Sequence, residues 1–79
     1  DAKEAIAFAE KACEVTKHKD IDSLRILAGV YAVVGRFDKA ADVARTAIEA
    51  ARAAGDRQAI ERIQGMLKLY EKLQAGKRE

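Results

Sequence analysis

Apolar residues recur every three or four positions along most of the chain, which is the spacing of an amphipathic helix. Three interruptions divide this pattern: the polar stretch just before Asp20, and the glycines at positions 35 and 55. Asp20 and Asp56 each stand where a carboxylate can cap the helix that follows. We therefore predict four helices and no strands, with bounds at 1–18, 21–34, 37–54 and 56–75.

The centre of the chain, residues 24–47, is typical of two helices folded back on each other. One face of the first helix carries its apolar side chains: Leu24, Leu27, Ala28, Tyr31 and Val34. Gly35 follows where a helix end favours a left-handed residue. Asp38 is predicted to accept hydrogen bonds from free N–H groups at the start of the next helix. A narrow face of that helix permits close approach of a neighbour: Ala40, Ala44 and Ala47.

The chain also repeats itself at an interval near 36 residues. A shift of 36 places the second predicted helix on the fourth: Asp20, Leu24, Leu27, Gly29 and Tyr31 fall on Asp56, Ile60, Ile63, Gly65 and Leu67. A shift of 35 places the first helix on the third: Ala5, Ala9 and Ala12 fall on Ala40, Ala44 and Ala47. Two kinds of helix therefore alternate along the chain, as in a helical-repeat protein.

The central hairpin resembles a tetratricopeptide repeat, a unit of roughly 34 residues made of helices A and B. The matching positions are Leu24, the Leu27–Ala28 pair and Tyr31 in helix A, Gly35 and Phe37 at the turn, and Ala40 and Ala47 in helix B. The chain departs from the family pattern with a Leu for the usual Trp, Ala44 for the usual aromatic residue and Arg52 where Pro often ends the repeat. The closing segment LKLYEKLQAGKRE is also similar to the C-terminal ends of bacterial multi-repeat proteins.

The resemblance implies an all-α domain of antiparallel helical hairpins, stacked as a short right-handed solenoid. Its helices would follow the order B-A-B-A. A half repeat at 1–19 would precede a full repeat at 20–55, followed by a capping helix at 56–75 and a tail at 76–79. The last helix carries polar residues where a further helix would pack, which suits the end of a solenoid.

In this family the concave groove is lined by the A helices and binds a peptide or a helix. The resemblance places eight residues of this chain there: Asp22, Arg25, Gly29, Val33, Glu61, Gly65, Lys68 and Leu69. Gly29 and Gly65 stand where the repeats that grip a terminal carboxylate have Asn, so that clamp is not expected. Two explanations for these glycines remain open: a close helix–helix contact, or a shallow floor that a partner can approach.

One apolar stripe of the first helix has no predicted cover: Ala5, Phe8, Ala12 and Val15. The neighbouring stripe, with Ile6, Ala9, Cys13 and Thr16, is predicted to pack on the second helix. We expect the Phe8 stripe either to meet its copy in a second chain or to pack on an upstream repeat. The chain starts at Asp1 rather than Met, so it is expected to be a piece of a longer protein.

Composition and charge narrow the functional classes. Seventy-nine residues make one domain, and the lack of Pro favours long helices. The net charge is only +2, and both signs are mixed in each half, so we expect no nucleic-acid interface. No run is apolar enough to span a bilayer, so we expect no membrane insertion by this segment. The location is open, with the cytoplasm favoured. An anchor elsewhere in a longer protein remains open.

Residues suited to catalysis or metal binding are few. His18, the single histidine, lies between two lysines, which disfavour its use as a base or ligand. Cys13, the single cysteine, cannot form an internal disulfide and is expected to be a buried thiol. Metal-ligand spacing such as CxxC and a glycine-rich phosphate loop are both missing from the sequence. We expect no enzymatic activity, no metal and no cofactor.

The sequence thus predicts a non-enzymatic module that binds a protein or peptide. Two alternatives from other classes remain open. The first is a structural element that self-assembles into a homo-oligomer through exposed helix faces. The second is an accessory repeat domain of a bacterial transferase, with catalysis elsewhere. Solution mass distinguishes the first alternative, and the sequence of the longer protein distinguishes the second.

Overall fold

The computed structural model describes residues 2–15 and 20–77, with side chains at 3–12, 14 and 20–76. These residues form four helices: α1 (Ala2–Val15), α2 (Ile21–Val33), α3 (Phe37–Ala54) and α4 (Arg57–Lys77). The described residues contain no strand, which confirms the all-α prediction. The predicted extension of the first helix to residue 18, His18 itself and the side chains of Cys13 and Val15 lie outside the described residues.

Aspartates cap α2 and α4, as predicted. The Asp20 carboxylate accepts hydrogen bonds from the Asp22 N–H at 3.2 Å and from the Ser23 hydroxyl at 2.8 Å. The Asp56 carboxylate accepts one from the Ala59 N–H at 3.1 Å. Each aspartate therefore satisfies a backbone donor that the first helical turn leaves without a partner inside the helix.

Glycines in the left-handed conformation end α2 and α3. The φ angle is 82° at Gly35 and 70° at Gly55. At the first turn, the Gly35 N–H donates to the Ala32 carbonyl at 3.0 Å and the Arg36 N–H donates to the Tyr31 carbonyl at 2.9 Å. These are the two bonds of a Schellman motif, and the same pair recurs after α3. The prediction that Gly35 ends a helix and turns the chain is confirmed.

Two helix ends differ from the prediction. Arg36 precedes α3 and makes no side-chain capping bond, whereas Asp38 lies inside the first turn. The predicted capping by Asp38 is therefore wrong, because the tight turn at Gly35 starts the helix before the chain reaches that carboxylate. The predicted end at residue 75 is also wrong: α4 continues through Gly76 to Lys77. A glycine stops a helix by taking a positive φ, and Gly76 does not take one.

The helices pack through one core. α3 lies against both α2 and α4, α1 packs on α2, and α2 touches α4. Alanines dominate the buried surface of α3: Ala40, Ala41, Ala44, Ala47 and Ala51. Since an alanine adds little width to a helix, α3 can approach two neighbours closely. The larger side chains of the core come mainly from the helices around it: Leu24, Leu27, Tyr31, Ile63 and Tyr70.

The packed helices form a thin slab. The Cα atoms extend over 37 × 27 × 13 Å, and a helix with its side chains is about 10 Å across, so the slab leaves helix faces open to solvent. Large apolar side chains stand exposed on α1, α2 and α4: Phe8, Ile26, Val33, Leu69 and Leu73. None of the described helices is both long and apolar enough to cross a membrane.

Candidate partner-binding surfaces

The residues predicted to bind a partner lie on the open sides of α2 and α4, and we refer to them as the α2–α4 face. All eight are exposed or half-buried: Asp22, Arg25, Gly29, Val33, Glu61, Gly65, Lys68 and Leu69. Val33 is 87% exposed and Leu69 is 53% exposed. These two apolar side chains occupy equivalent positions, 36 residues apart, so both helices present the same feature to solvent.

The two glycines of this face lie in open space. A Cβ atom built on Gly29 or on Gly65 would meet no neighbouring atom within 4 Å. This excludes the first explanation, because neither glycine makes room for an adjacent helix in the described structure. Each glycine destabilises its helix by roughly 1 kcal/mol relative to alanine, and no packing contact offsets that loss. Packing in the described structure therefore does not explain either glycine.

Charged groups border the α2–α4 face at the N-terminal ends of its helices. The Arg25 Nη2 atom lies 3.7 Å from Asp22 Oδ1, and both side chains are well exposed, so the pair contributes little to stability. Both line a cleft of about 380 Å³ whose far wall includes Gln58 and Arg62 of α4. The sequence reasoning missed these two α4 residues, because only the tertiary contact of α2 with α4 brings them opposite Arg25.

A second open surface, the α1–α2 groove, runs between these two helices and has a volume of about 340 Å³. Its lining is almost entirely apolar: Ala5, Phe8, Ala9, Ala12, Ser23, Ile26 and Val30. Phe8 is 80% exposed and Ile26 is 56% exposed. Within the described residues the stripe predicted on α1 is therefore uncovered. The contribution of α2 was missed, although Ile26, Val30 and Val33 recur at helical spacing and could have shown it.

A third cleft, of about 390 Å³, is lined by residues of α1, α2 and α3. Its walls include three carboxylates, those of Glu10, Glu14 and Asp42, around the Tyr31 ring. The Tyr31 hydroxyl donates a hydrogen bond to the Glu10 carboxylate, and the Lys39 ammonium lies 5.8 Å from the centre of the ring. These contacts tie α1 and α3 to α2, so the cleft is accounted for by the packing of the helices.

Side chains that could hold a metal ion or that titrate unusually are few among the described residues. These residues contain no group of three or more His, Cys, Asp or Glu side chains placed to hold a metal ion. The Asp20 carboxylate, which could have suggested a cation site, caps α2. Burial raises the pKa of the Tyr70 hydroxyl above its ordinary value, so this group stays protonated in the core.

Comparisons with known proteins place no constraint on these surfaces. No protein-family model, no curated protein and no solved structure matches the chain. The resemblance of the central hairpin to a tetratricopeptide repeat therefore stays a prediction from the sequence.

Proposed function

We propose that this chain is a non-enzymatic protein-binding module, built as a short solenoid of the tetratricopeptide kind. In this proposal α2 and α4 are equivalent A helices that line one side, and α1 and α3 are the B helices behind them. The order of packing supports it: α3 lies between α2 and α4, and the two A helices also touch. The repeated capping aspartates and Schellman turns support the same equivalence.

The observation that carries the proposal is a feature that occurs twice on the α2–α4 face. In α2, Gly29 is followed one turn later by the exposed Val33; in α4, Gly65 is followed one turn later by the exposed Leu69. Each pair combines a bare stretch of backbone with an apolar side chain beside it. The glycines weaken their helices, and the apolar side chains leave more than half of their surface in water, so the pair contributes little to folding stability.

We infer that the partner is a peptide or helix with apolar side chains and charges of both signs. Its backbone would approach the two glycines, and its apolar side chains would cover Val33 and Leu69. Arg25 and Lys68 supply positive charge along this face, and Asp22 and Glu61 supply negative charge, so charge would orient the partner. The face is only two helices wide, which favours an affinity in the micromolar range or weaker, as is usual below roughly 1,200 Å² of buried surface.

The proposal is tested by selecting random peptides, displayed on phage, on the immobilised chain. Fluorescence anisotropy of a selected peptide then gives its affinity for each variant. Arg25→Glu combined with Lys68→Glu should weaken binding by about tenfold or more, because both cations face the partner. The matched control, Arg36→Glu combined with Arg52→Glu, makes the same change in net charge at exposed ends of α3 and should bind as the original chain does.

Both double variants should keep the helical circular dichroism and nearly the same melting temperature, because all four side chains are at least partly exposed. Two outcomes contradict the proposal. One is a selection that yields no peptide above background. The other is equal binding by the original chain and the Arg25→Glu, Lys68→Glu variant, which would place the binding surface elsewhere.

A further inference from the structure

The described lining of the α1–α2 groove is apolar except for Ser23. None of the described residues that line it is charged, so covering these residues would not bury a charge. Phe8 and Ile26, its two large exposed side chains, come from different helices. This surface lies beside the α2–α4 face but shares none of its eight residues, so its occupant is a separate question.

Equivalent positions occur a second time in the chain, on α3 and α4, and there all but one of them are buried or half-buried. By the shift of 35 residues, the α1 positions correspond to positions on α3: Ala5, Phe8 and Ala12 fall on Ala40, Val43 and Ala47. By the shift of 36, the α2 positions correspond to positions on α4: Ser23, Ile26 and Val30 fall on Ala59, Arg62 and Met66. In the structure α2 packs against both α3 and α4. An α-helix is therefore the element that fits this type of groove.

The groove also carries both halves of a self-complementary contact. Phe8 projects into solvent with 80% of its surface exposed. The residues beside it are small, with Ala5, Ala9 and Ala12 on the same helix and Ser23 opposite. A protruding ring next to a shallow trough is what a twofold contact requires, because each chain then inserts its ring into the trough of the other.

The charges at the edge of α1 favour one orientation of a second copy. Glu4 and Lys11 are both exposed and lie seven residues apart, two helical turns, on the edge of the stripe that contains Phe8. If two α1 helices cross antiparallel near residues 7 and 8, Glu4 of one chain meets the partner's Lys11, and Lys11 meets the partner's Glu4. A parallel arrangement would instead place like charges opposite each other.

We propose that the α1–α2 groove is the interface of a symmetric homodimer, in which α1 of each chain packs antiparallel on α1 of the other. Phe8 fills the partner's groove, and Glu4 and Lys11 pair across the edge. α1 has 14 residues, which makes the contact about 21 Å long. A contact made mainly by one short helix of each chain buries a small area for a specific interface, so the dimer is weak and dissociates on dilution.

Analytical ultracentrifugation of this chain from about 10 µM to about 1 mM measures the association directly. We expect a reversible monomer–dimer equilibrium with no larger species. Phe8→Glu should weaken it by at least about tenfold, since the buried ring is replaced by a charge. The matched control is Leu73→Glu, which puts the same charge at an exposed apolar position on α4, and α4 does not contact α1. It should dimerise as the original chain does.

A charge exchange tests the orientation independently of Phe8. Glu4→Lys alone and Lys11→Glu alone should each weaken the dimer by a few fold, because each places like charges across the edge. The two changes together restore opposite charges and should restore the original dissociation constant. Circular dichroism of every variant checks that the helices are intact.

Four results would overturn the proposal. They are a chain that stays monomeric at the highest concentration, a series of species larger than the dimer, a dimer that Phe8→Glu leaves unchanged, and a charge exchange that fails to restore association. The first would leave the groove to a helix from another source. The peptide selection on the α2–α4 face is unaffected by these results, so the two proposals can fail separately.

Discussion

At the scale of single residues, the glycines of this chain divide into two kinds. Gly35 and Gly55 take positive φ angles at the ends of helices, where a residue with a Cβ atom is strained. Gly29 and Gly65 lie inside helices with open space where a side chain would be. The first kind is explained by the backbone of the fold. The second kind is not, and this is why we connect it with binding.

Most substitutions destabilise a protein, but replacing either interior glycine with alanine should stabilise this one. Gly29→Ala and Gly65→Ala should each raise the free energy of unfolding by roughly 1 kcal/mol, because alanine is the better helix former and its Cβ atom meets nothing. Urea denaturation followed by circular dichroism measures the change. If either variant is less stable than the original chain, its Cβ atom is not in open space.

The same variants carry information about function when their affinities for a selected peptide are compared. A partner that approaches the backbone at these positions should lose affinity when a methyl group is added, even though the fold becomes more stable. Ala53→Gly makes the reverse exchange at an exposed position near the end of α3 and serves as the control. It should lower stability without changing affinity, which separates the two effects.

At the scale of elements, α2 and α4 begin with a capping aspartate, whereas α3 begins without a side-chain cap. Asp20 and Asp56 cap α2 and α4 through their carboxylates. α3 has no side-chain cap, since Arg36 precedes it and Asp38 is already inside its first turn. There the carboxylate can act only through its charge, by complementing the positive end of the helix dipole.

Because a capping carboxylate and a first-turn carboxylate act differently, their removal should lower the free energy of unfolding by different amounts. Asp20→Ala and Asp56→Ala should each lower the free energy of unfolding by about 0.5–2 kcal/mol, the range found when a capping side chain is removed. Asp38→Ala should lower it less, by about 0.3–1 kcal/mol, and this smaller loss should shrink when salt is added. Thermal melts of the three variants at two salt concentrations provide the comparison. A loss at Asp38 equal to that at Asp20 would contradict the observed start of α3.

At the scale of the whole molecule, the four helices are unequally supported. α3 packs on two neighbours along much of its length, whereas α1 packs on α2 alone. Between α3 and α4 there is also an exposed network, in which Arg45 contacts Asp42 at 2.9 Å and Glu71 at 3.1 Å. Between α1 and α2, the Tyr31 hydroxyl donates a hydrogen bond to the Glu10 carboxylate. The end of the slab that contains α1 is therefore its weaker end.

This inequality predicts an order of amide hydrogen exchange. The amides of α3 should be the most protected, and those of α1 should exchange first, because α1 can separate from α2 without opening the rest of the core. Exchange followed by NMR or mass spectrometry at low protein concentration tests this order. Protection of α1 should rise at high concentration if the dimer forms. Equal protection of α1 and α3 at every concentration would contradict the prediction.

The amino-acid sequence by itself determined the helices, most of their limits and the turns between them. These features depend on interactions within a few residues: the Asp20 and Asp56 caps, the left-handed Gly35 and the apolar spacing of α2 can all be recognised locally. The same reasoning failed for Asp38 and Gly76. α3 begins before the chain reaches Asp38, so this residue lies inside the first turn. α4 continues through Gly76 and does not end before it. The eight residues of the α2–α4 face were also named from the sequence, and the structure finds all of them at least partly accessible.

Only the tertiary structure decided what surrounds each residue, because burial depends on neighbours that are distant in the chain. It left Gly29 and Gly65 open, although their positions in the sequence were consistent with a packing role. It brought Arg62 into the cleft with Arg25, and Ile26 into the groove with Phe8. Each of these two pairs joins residues from different helices. The distance between the two residues depends on how closely their helices approach, and the alanines of α3 and the contacts of α1 with α2 set that approach.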